Sequence, residues 1–158
     1  MLHVVLFEPE IPPNTGNAIR LCANMGATLH LVKPLGFRLD DKSLHRSGLD
    51  YHDLADVRIH LNLDACLGVL DGARVFAVET GGRYCYSDVE YRCGDVLLFG
   101  PESRGLPAAV QARIGRENTL FIPMKPHSRS INLSNAVAIV AFDAWRQLRF
   151  AGRIAGEA

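Results

Sequence analysis

The sequence lacks a long hydrophobic run: no apolar stretch in it approaches the roughly 20 residues that a helix needs to cross a bilayer. Its first residues, Met1 to Val5, also lack the basic region and the small-residue cleavage site of an export signal. These two absences argue against the membrane and secreted classes. We therefore predict a cytoplasmic protein without a membrane partner.

Cysteine is scarce, and the four cysteines form no recognisable pair. Cys22, Cys66, Cys85 and Cys93 are never separated by only two residues, and the six histidines form no HExxH motif. Zinc knuckles and redox dithiols both require such close spacing. The sequence thus predicts buried or incidental thiols and no metal cofactor.

Net charge is absent as well, because 17 basic side chains balance 17 acidic ones. Any affinity for nucleic acid must then come from local clusters of cations rather than from the field of the whole protein. With 158 residues, 48% hydrophobic and 22% charged, the chain fits a single domain, 1–158, with a sizeable core. No repeat, low-complexity tract or linker divides it.

Short apolar runs alternate with helical patterns along the chain. The strands are predicted at residues 2–7, 28–32, 57–60, 74–78, 96–99 and 119–122. The helices are predicted at residues 15–25, near 41–48, and at 64–70, 107–114 and 132–150. In the first helix, Thr15 can be the N-cap, and Gly26 suits the left-handed position after the last turn. This alternation predicts an α/β fold with a mostly parallel sheet flanked by helices.

The last predicted helix is unusual, because apolar residues cover nearly all of its surface. A helix so poor in polar side chains must be buried on more than one side. A protein of this size has little other structure with which to cover it. The excess apolar surface therefore predicts contact with a second copy of the chain, and we expect a homodimer.

Polar segments that follow predicted strands are candidates for chemistry. Gly100-Pro-Glu-Ser-Arg-Gly105 lies between a strand and a helix, where open α/β sheets bind their ligands. Leu106-Pro107 stands where a P-loop has Lys-Ser/Thr, and no GxGxxG motif is present, so a phosphate cradle and an ordinary dinucleotide site are both disfavoured. Taken alone, the two glycines can equally well be plain turn residues.

A second polar segment, from Pro123 to Asn135, precedes the most hydrophobic helix. It clusters serine, asparagine and arginine side chains beside helix N–H groups, which favour anionic or polar ligands. Helix capping by Ser130 or Asn132 is the simpler alternative, but a cap needs only one residue. The density of polar side chains favours a functional site.

Two further candidates are weaker when judged by spacing. Arg20, in the helix after Asn14, is explained at least as well by an ordinary solvated surface arginine. Tyr51-His52-Asp53 could suggest a general base, but an exposed loop histidine explains the run better. Neither candidate identifies a reaction when it is considered alone.

Taken together, three segments resemble the signature motifs of the TrmH-type branch of SPOUT methyltransferases. The segments are Asn14-Thr-Gly-Asn17 with Arg20, Phe99 to Pro107, and Ile122-Pro-Met124 with Ser128 to Ala136. The likeness covers practically the whole chain. Further stretches resemble the small members of this branch that lack an added RNA-binding domain, namely Glu8 to Asn17, Gly48 to His52 and Asp143 to Gln147.

The resemblance implies an α/β fold whose C-terminal segment passes through a loop to form a trefoil knot, an exception to the usual rule against knots. It also implies that S-adenosylmethionine binds in a bent shape within the knot, held largely by main-chain groups and without a metal. The residues implied for cofactor binding are Val78, Thr80, Gly100, Ile122, Met124, Ser130 and Leu133. The implied catalytic set is Arg20, Asn14, Glu102, Ser130 and Asn132.

In the implied reaction, a ribose 2′-oxygen attacks the sulfonium methyl group in line. The resemblance assigns Arg20 to the hydroxyl and Asn14 to its orientation. It leaves Glu102, Ser130 and Asn132 to hold the loops, the cofactor and the ribose in register. Because a guanidinium normally has a pKa above about 12, we expect Arg20 to polarise and orient the hydroxyl rather than to act as a free base.

The relatives that the chain resembles modify nucleotide 34, a cytidine or a modified uridine, of leucine tRNAs. Because so small a domain cannot surround a tRNA, we expect two subunits to share it, with a composite site between them. The candidate RNA contacts are Arg129, which we expect to matter most, and Arg20, Lys33, Arg38, Arg46 and Arg146. At Phe142, where members of this branch often carry tyrosine, a hydroxyl group is missing.

Three alternatives stay open. The chain could methylate another tRNA position or ribosomal RNA, or it could be an RNA-binding module without catalysis. The intact set of motif residues argues against the second of these. A small nucleotide-binding protein of the flavodoxin-like class is the third alternative, and it predicts no binding of S-adenosylhomocysteine.

Overall fold

The computed structural model describes residues 1–38 and 56–154. Its strands are β1 (His3–Phe7), β2 (Thr28–Val32), β3 (Val57–His60), β4 (Val75–Val78), β5 (Tyr84–Cys85), β6 (Val96–Phe99) and β7 (Thr119–Phe121). Within the described residues they form one seven-stranded sheet in the order β3-β2-β1-β6-β4-β7-β5, and every pairing is parallel. The prediction of a mostly parallel sheet is confirmed.

The described part of the chain contains four α-helices, which are α1 (Pro12–Met25), α2 (Leu63–Gly68), α3 (Ala108–Ile114) and α4 (Leu133–Gln147). Two short 3-10 turns, Tyr86–Asp88 and Arg116–Asn118, join neighbouring elements. These helices confirm four of the predicted ones with small shifts at their ends, and the helix predicted near 41–48 lies outside the described residues. None of the described helices combines the length and the apolar character needed to span a membrane.

Helix α1 begins earlier than the sequence predicts. Ile11 is its N-cap, and Pro12 and Pro13 occupy the first turn, where the missing N–H groups leave no hydrogen bond unmade. Thr15 is therefore inside the helix and fully buried, so the prediction that Thr15 caps it is wrong. The predicted end is confirmed, because Gly26 follows the last turn in the left-handed conformation, with a φ of 66°.

Apolar side chains fill both faces of the sheet. Helices α1 and α4 cover one face, where Leu6 and Val137 are fully buried. Helices α2 and α3 cover the other face, where Val5 and Cys66 are fully buried. Because successive strand residues point to opposite faces, a register shift by one residue would exchange the two cores. The central strands are accordingly buried on both faces, as is usual for a parallel sheet covered by helices on two sides.

The position of β7 gives the sheet its unusual order. β7 lies between β4 and β5, although the chain forms β5 and β6 before it. After β7 the chain continues into α4, which packs against α1. The last strand in the chain is therefore inserted between two strands that precede it in the sequence. The trefoil knot stays a prediction that rests on the resemblance.

Adjacent glycines after β4 offer a test of how tightly β7 is inserted. A Cβ atom at Gly82 would lie 2.6 Å from the backbone nitrogen of Phe121, whereas a Cβ atom at Gly81 would meet nothing within 4 Å. We expect Gly82→Ala to destabilise the protein by about 3 kcal/mol, because the obstacle is backbone and cannot rotate away. In a chain of this length that lowers the melting temperature by on the order of 10 °C.

Gly81→Ala is the matched control for this prediction and should change the free energy of unfolding by no more than about 0.5 kcal/mol. Thermal unfolding followed by circular dichroism measures both variants. Equal melting temperatures for the two would contradict the close approach of Gly82 to β7.

Candidate active site

A cavity of about 400 Å³ lies where the carboxyl ends of β4, β6 and β7 meet the first turns of α1 and α4. All the residues predicted to bind the cofactor line it, namely Val78, Thr80, Gly100, Ile122, Met124, Ser130 and Leu133. Four of the predicted catalytic residues line it too, namely Asn14, Glu102, Ser130 and Asn132. The fold thus brings the three motif segments to one cavity.

Glu102 ties the loop after β6 to the beginning of α1. Its carboxylate accepts hydrogen bonds from the backbone N–H of Glu10 at 2.8 Å, the backbone N–H of Ile11 at 3.2 Å and the side-chain amide of Asn14 at 2.9 Å. Hydrogen bonds to an ionised acceptor are stronger than neutral ones, and the N-terminus of a helix favours a negative charge. Glu102 therefore fixes the entry to α1.

Asn14 extends this network to the beginning of α4. The residue is only 5% exposed, and its side-chain oxygen accepts a hydrogen bond from the Asn132 amide at 2.9 Å. Asn132 in turn caps α4 by accepting from the backbone N–H of Ser134 at 2.9 Å. Asn132 therefore both caps α4 and lines the cavity. We call Glu102, Asn14 and Asn132 the polar clamp.

The turn from Gly100 to Leu106 forms one wall of the cavity and folds back closely on itself. A Cβ atom at Gly100 would lie 2.5 Å from the carbonyl carbon of Gly105. Gly105 itself is left-handed, with a φ of 66°, a conformation that costs glycine nothing. Both glycines are therefore required by the turn, and the turn in turn shapes the cavity.

Sequence reasoning misses Glu79, which lines the cavity directly after β4. Its carboxylate accepts a hydrogen bond from the backbone N–H of Leu106. Burial raises the pKa of the Glu79 carboxyl, and the backbone hydrogen bonds that it accepts oppose this rise. The signal that could have found Glu79 is its position, because ligands bind just beyond the carboxyl ends of parallel strands.

Two residues of the turn from Gly100 to Leu106 make contacts that the sequence does not predict. Ser103 donates to the Glu10 carboxylate through its backbone N–H at 3.0 Å and its hydroxyl at 2.8 Å. Arg104 forms an ion pair with Glu8. These contacts hold the turn after β6 against the loop after β1. Both segments follow strands, but no spacing along the chain reveals which side chains meet.

Arg20 is placed differently from the other predicted catalytic residues. It is exposed on α1 and lies about 9 Å along the helix axis from Asn14 at the usual rise per residue. Arg20 is not among the described residues that line the cavity. Within a single chain, the structure therefore does not bring Arg20 to this cavity.

The other predicted RNA contacts are spread over the surface. Arg129 is exposed in the segment between β7 and α4, beside the cavity. Lys33 and Arg38 are exposed in the segment after β2. Arg146 is exposed but forms an ion pair with Asp143 at 2.8 Å. Arg46 lies outside the described residues.

The fold and the cavity together define the class of protein. An all-parallel sheet carries three polar loops that close around a ligand-sized cavity at its carboxyl edge. The chain matches the SpoU rRNA Methylase family over residues 1–142. It therefore belongs to this family of methyltransferases, which confirms the TrmH-type SPOUT assignment predicted from the three motifs.

Individual relatives within this family, and solved structures, are similar to the chain over nearly its whole length. The tRNA (cytidine(34)-2'-O)-methyltransferase of Methylovorus glucosotrophus (strain SIP3-4) is 52% identical over 154 residues, which cover 98% of this chain and 100% of that protein. A solved structure concerned with the 2-OH methylation of C/U34 on tRNA has a TM-score of 0.90 at 50% identity and covers 94% of this chain and 97% of that one. The SpoU methyltransferase AviRb from Streptomyces viridochromogenes, in complex with AdoMet, has a TM-score of 0.81 at 25% identity over 97% of this chain and 59% of that one.

Proposed function

We propose that this chain transfers a methyl group from S-adenosylmethionine to the ribose 2′-oxygen of nucleotide 34 of tRNA. A relative that is 52% identical over 98% of the chain bears the name of this activity for cytidine 34. The observation that carries the proposal is the polar clamp, which joins all three motif segments around one cavity. We further propose cytidine or a modified uridine in leucine tRNAs as the substrate, and the cytoplasm as the location.

The cavity suits S-adenosylmethionine. Its volume of about 400 Å³ falls within the usual range for small-molecule sites. Val78, Ile122 and Leu133 offer apolar side chains, and Gly100 lines the cavity with backbone alone. Backbone N–H and C=O groups can then bind the adenine edge. When bound, the cofactor supplies a methyl group that the positive charge on sulfur activates.

The residues divide into those that hold the site and one that acts on the hydroxyl. Glu102, Asn14 and Asn132 hold the three loops in register, since their hydrogen bonds run between the segments. Ser130 faces the cavity from the third loop. Arg20 polarises and orients the ribose hydroxyl through its guanidinium donors. Positioning supplies much of the rate, because the methyl donor is already activated.

We also propose that the chain acts as a homodimer of single domains, residues 1–158, with composite sites. Phe142 on α4 is 40% exposed and forms an edge-to-face pair with Trp145, which is an apolar surface that a second copy can cover. Arg20 does not line the cavity of its own subunit within the described residues. A partner that presents its Arg20 to this cavity would complete the site.

Arg129 is the first RNA contact to test. We expect Arg129→Ala to weaken tRNA binding about tenfold and to reduce the slope of log affinity against log salt by about 1, because one phosphate contact is lost. Arg146→Ala is the matched control, since the Asp143 carboxylate already engages that guanidinium. Filter binding at several salt concentrations measures both. Equal losses for the two variants would contradict the special role of Arg129.

Transfer of tritium from labelled cofactor to tRNA tests the activity, and nuclease digestion with mass spectrometry locates the methylated ribose. A label at nucleotide 34 of leucine tRNAs is the expected result. A label elsewhere in tRNA or in ribosomal RNA favours the first alternative. Binding of S-adenosylhomocysteine without transfer favours a module without catalysis, and no binding by calorimetry favours a flavodoxin-like protein.

A further inference from the structure

A second cluster of reactive side chains lies on the sheet face that α2 and α3 cover, away from the cofactor cavity. His30 of β2 and Cys66 of α2 are fully buried, and His60 at the end of β3 is partly exposed. One ring nitrogen of each histidine and the sulfur of Cys66 all lie within 4.8 Å of one another. The methyl transfer proposed above uses none of these groups.

We propose that His30, His60 and Cys66 form a binding site for a borderline transition-metal ion of the zinc(II) type. Two imidazoles and one thiolate are ligands that zinc(II) and cobalt(II) prefer. The ion would join β2, β3 and α2 through three protein ligands. The inference is independent of the proposed methyl transfer.

The positions of the donors follow from strand pairing. β2 and β3 are parallel, with His30 opposite Arg58 and Val32 opposite His60, so the two histidines lie on the same face in adjacent strands. The His30 Nδ1 and His60 Nε2 atoms are 2.9 Å apart. Helix α2 packs over this face and directs Cys66 toward the pair. The three donors therefore come from three separate elements.

His3 supplies the outer support that a metal-binding histidine normally has. Its Nδ1 atom lies 3.1 Å from the Nε2 atom of His30. If His30 binds the ion through Nδ1, its Nε2–H can donate to His3. Such a second hydrogen bond fixes the tautomer and the ring orientation of a ligand histidine, and it is usual around protein zinc sites.

The distances require only small movements of side chains. Tetrahedral zinc, with bonds of about 2.0–2.1 Å to nitrogen and about 2.3 Å to sulfur, puts its donor atoms roughly 3.3–3.7 Å apart. The histidine pair must widen slightly, and the sulfur must move inward by about 1 Å, which χ rotations of Cys66 and His60 can provide. Because His60 is partly exposed, solvent can reach the site and supply a fourth ligand.

Binding of the ion fixes where the protons of His30, His60 and Cys66 must lie. An ion of this type binds neutral imidazole nitrogens and a thiolate. For both facing nitrogens to bind the ion, each neutral ring must carry its proton on its other nitrogen: His30 on Nε2, which faces His3, and His60 on Nδ1. The Cys66 S–H bond breaks, a sulfur–metal bond forms, and the proton goes to solvent.

Titration of the chelator-treated, full-length protein with cobalt(II) tests the proposal. We expect a thiolate-to-cobalt charge-transfer band in the near ultraviolet with one equivalent bound, and displacement of the band by zinc(II). Cys66→Ala should abolish the band and weaken zinc(II) binding by at least about 100-fold. Cys93→Ser is the matched control, since Cys93 is an exposed cysteine outside the cluster, and it should leave the band unchanged.

His60→Gln keeps the test decisive if Cys66→Ala fails to fold, because His60 is partly exposed at a strand end. It should weaken cobalt(II) binding at least about tenfold. Absence of the band at a tenfold excess of cobalt(II) would overturn the proposal, as would a band that persists in Cys66→Ala or disappears in Cys93→Ser. Since the proposed transfer occurs elsewhere, S-adenosylhomocysteine binding should not change with the metal.

Discussion

Arg20→Ala is expected to lower the rate of methyl transfer by at least about 100-fold, within the range typical for loss of a group that assists proton removal. The affinity for S-adenosylhomocysteine should change by less than about twofold, because Arg20 does not line the cavity of its own subunit within the described residues. Single-turnover kinetics with saturating tRNA measure the rate, and calorimetry measures the affinity.

Arg20→Lys separates charge from geometry. Lysine keeps the positive charge but lacks the planar fork of donors, so it should recover only a small part of the lost rate. If Arg20→Ala slows transfer only severalfold and leaves tRNA affinity unchanged, Arg20 has no part in the mechanism. An equal loss of tRNA affinity and rate would instead make Arg20 a binding residue.

Mixed dimers test whether the site is composite. Arg20→Ala leaves the cavity intact, whereas Asn132→Ala breaks the polar clamp around it. If Arg20 serves the partner's cavity, a mixed dimer contains one complete site, and co-expression restores part of the activity. If Arg20 serves its own cavity, neither site is complete, and the mixture stays as inactive as the parents.

Most strands could be predicted from sequence because they are short apolar runs bounded by residues that stop them, and β3 because its apolar and polar residues alternate. Among the described strands, β5, with Tyr84 and Cys85, escapes prediction, since it is two residues long and partly exposed. The N-cap of α1 escapes it for another reason. Thr15 is a good capping residue, but the preceding prolines continue the helix backward, and the Glu102 carboxylate binds its first turn instead.

The sequence predicts the part of the site that the three motif segments contain. The resemblance predicts which loops meet, and the cavity lining agrees with it. It does not predict the polar clamp, because the pairing of Asn14 with Asn132 depends on the order of β1, β6 and β7 in the sheet. The cluster of His30, His60 and Cys66 was invisible for the same reason, since the sequence-based prediction of no metal site considered only spacing along the chain.

Glu102→Gln should have a large effect even though the side chain keeps its shape. The carboxylate of Glu102 accepts three hydrogen bonds, two of them from the backbone N–H groups of Glu10 and Ile11. In glutamine, one oxygen becomes an NH₂ group, which must face at least one of these donors. The mismatch leaves a donor unpaired at a cost of about 1–3 kcal/mol.

Because this cost falls on the loop that forms the cavity, it should lower ligand affinity more than it lowers the stability of the whole fold. We expect the affinity for S-adenosylhomocysteine to fall about 5- to 150-fold, which is the same energy expressed as a binding ratio. Glu90→Gln, at an exposed glutamate on another part of the surface, is the control and should be neutral. Calorimetry and thermal unfolding measure both variants. Unchanged affinity in Glu102→Gln would mean that the cavity forms without the charged acceptor. The polar clamp would then be a consequence of the fold, and other contacts would hold the three loops together.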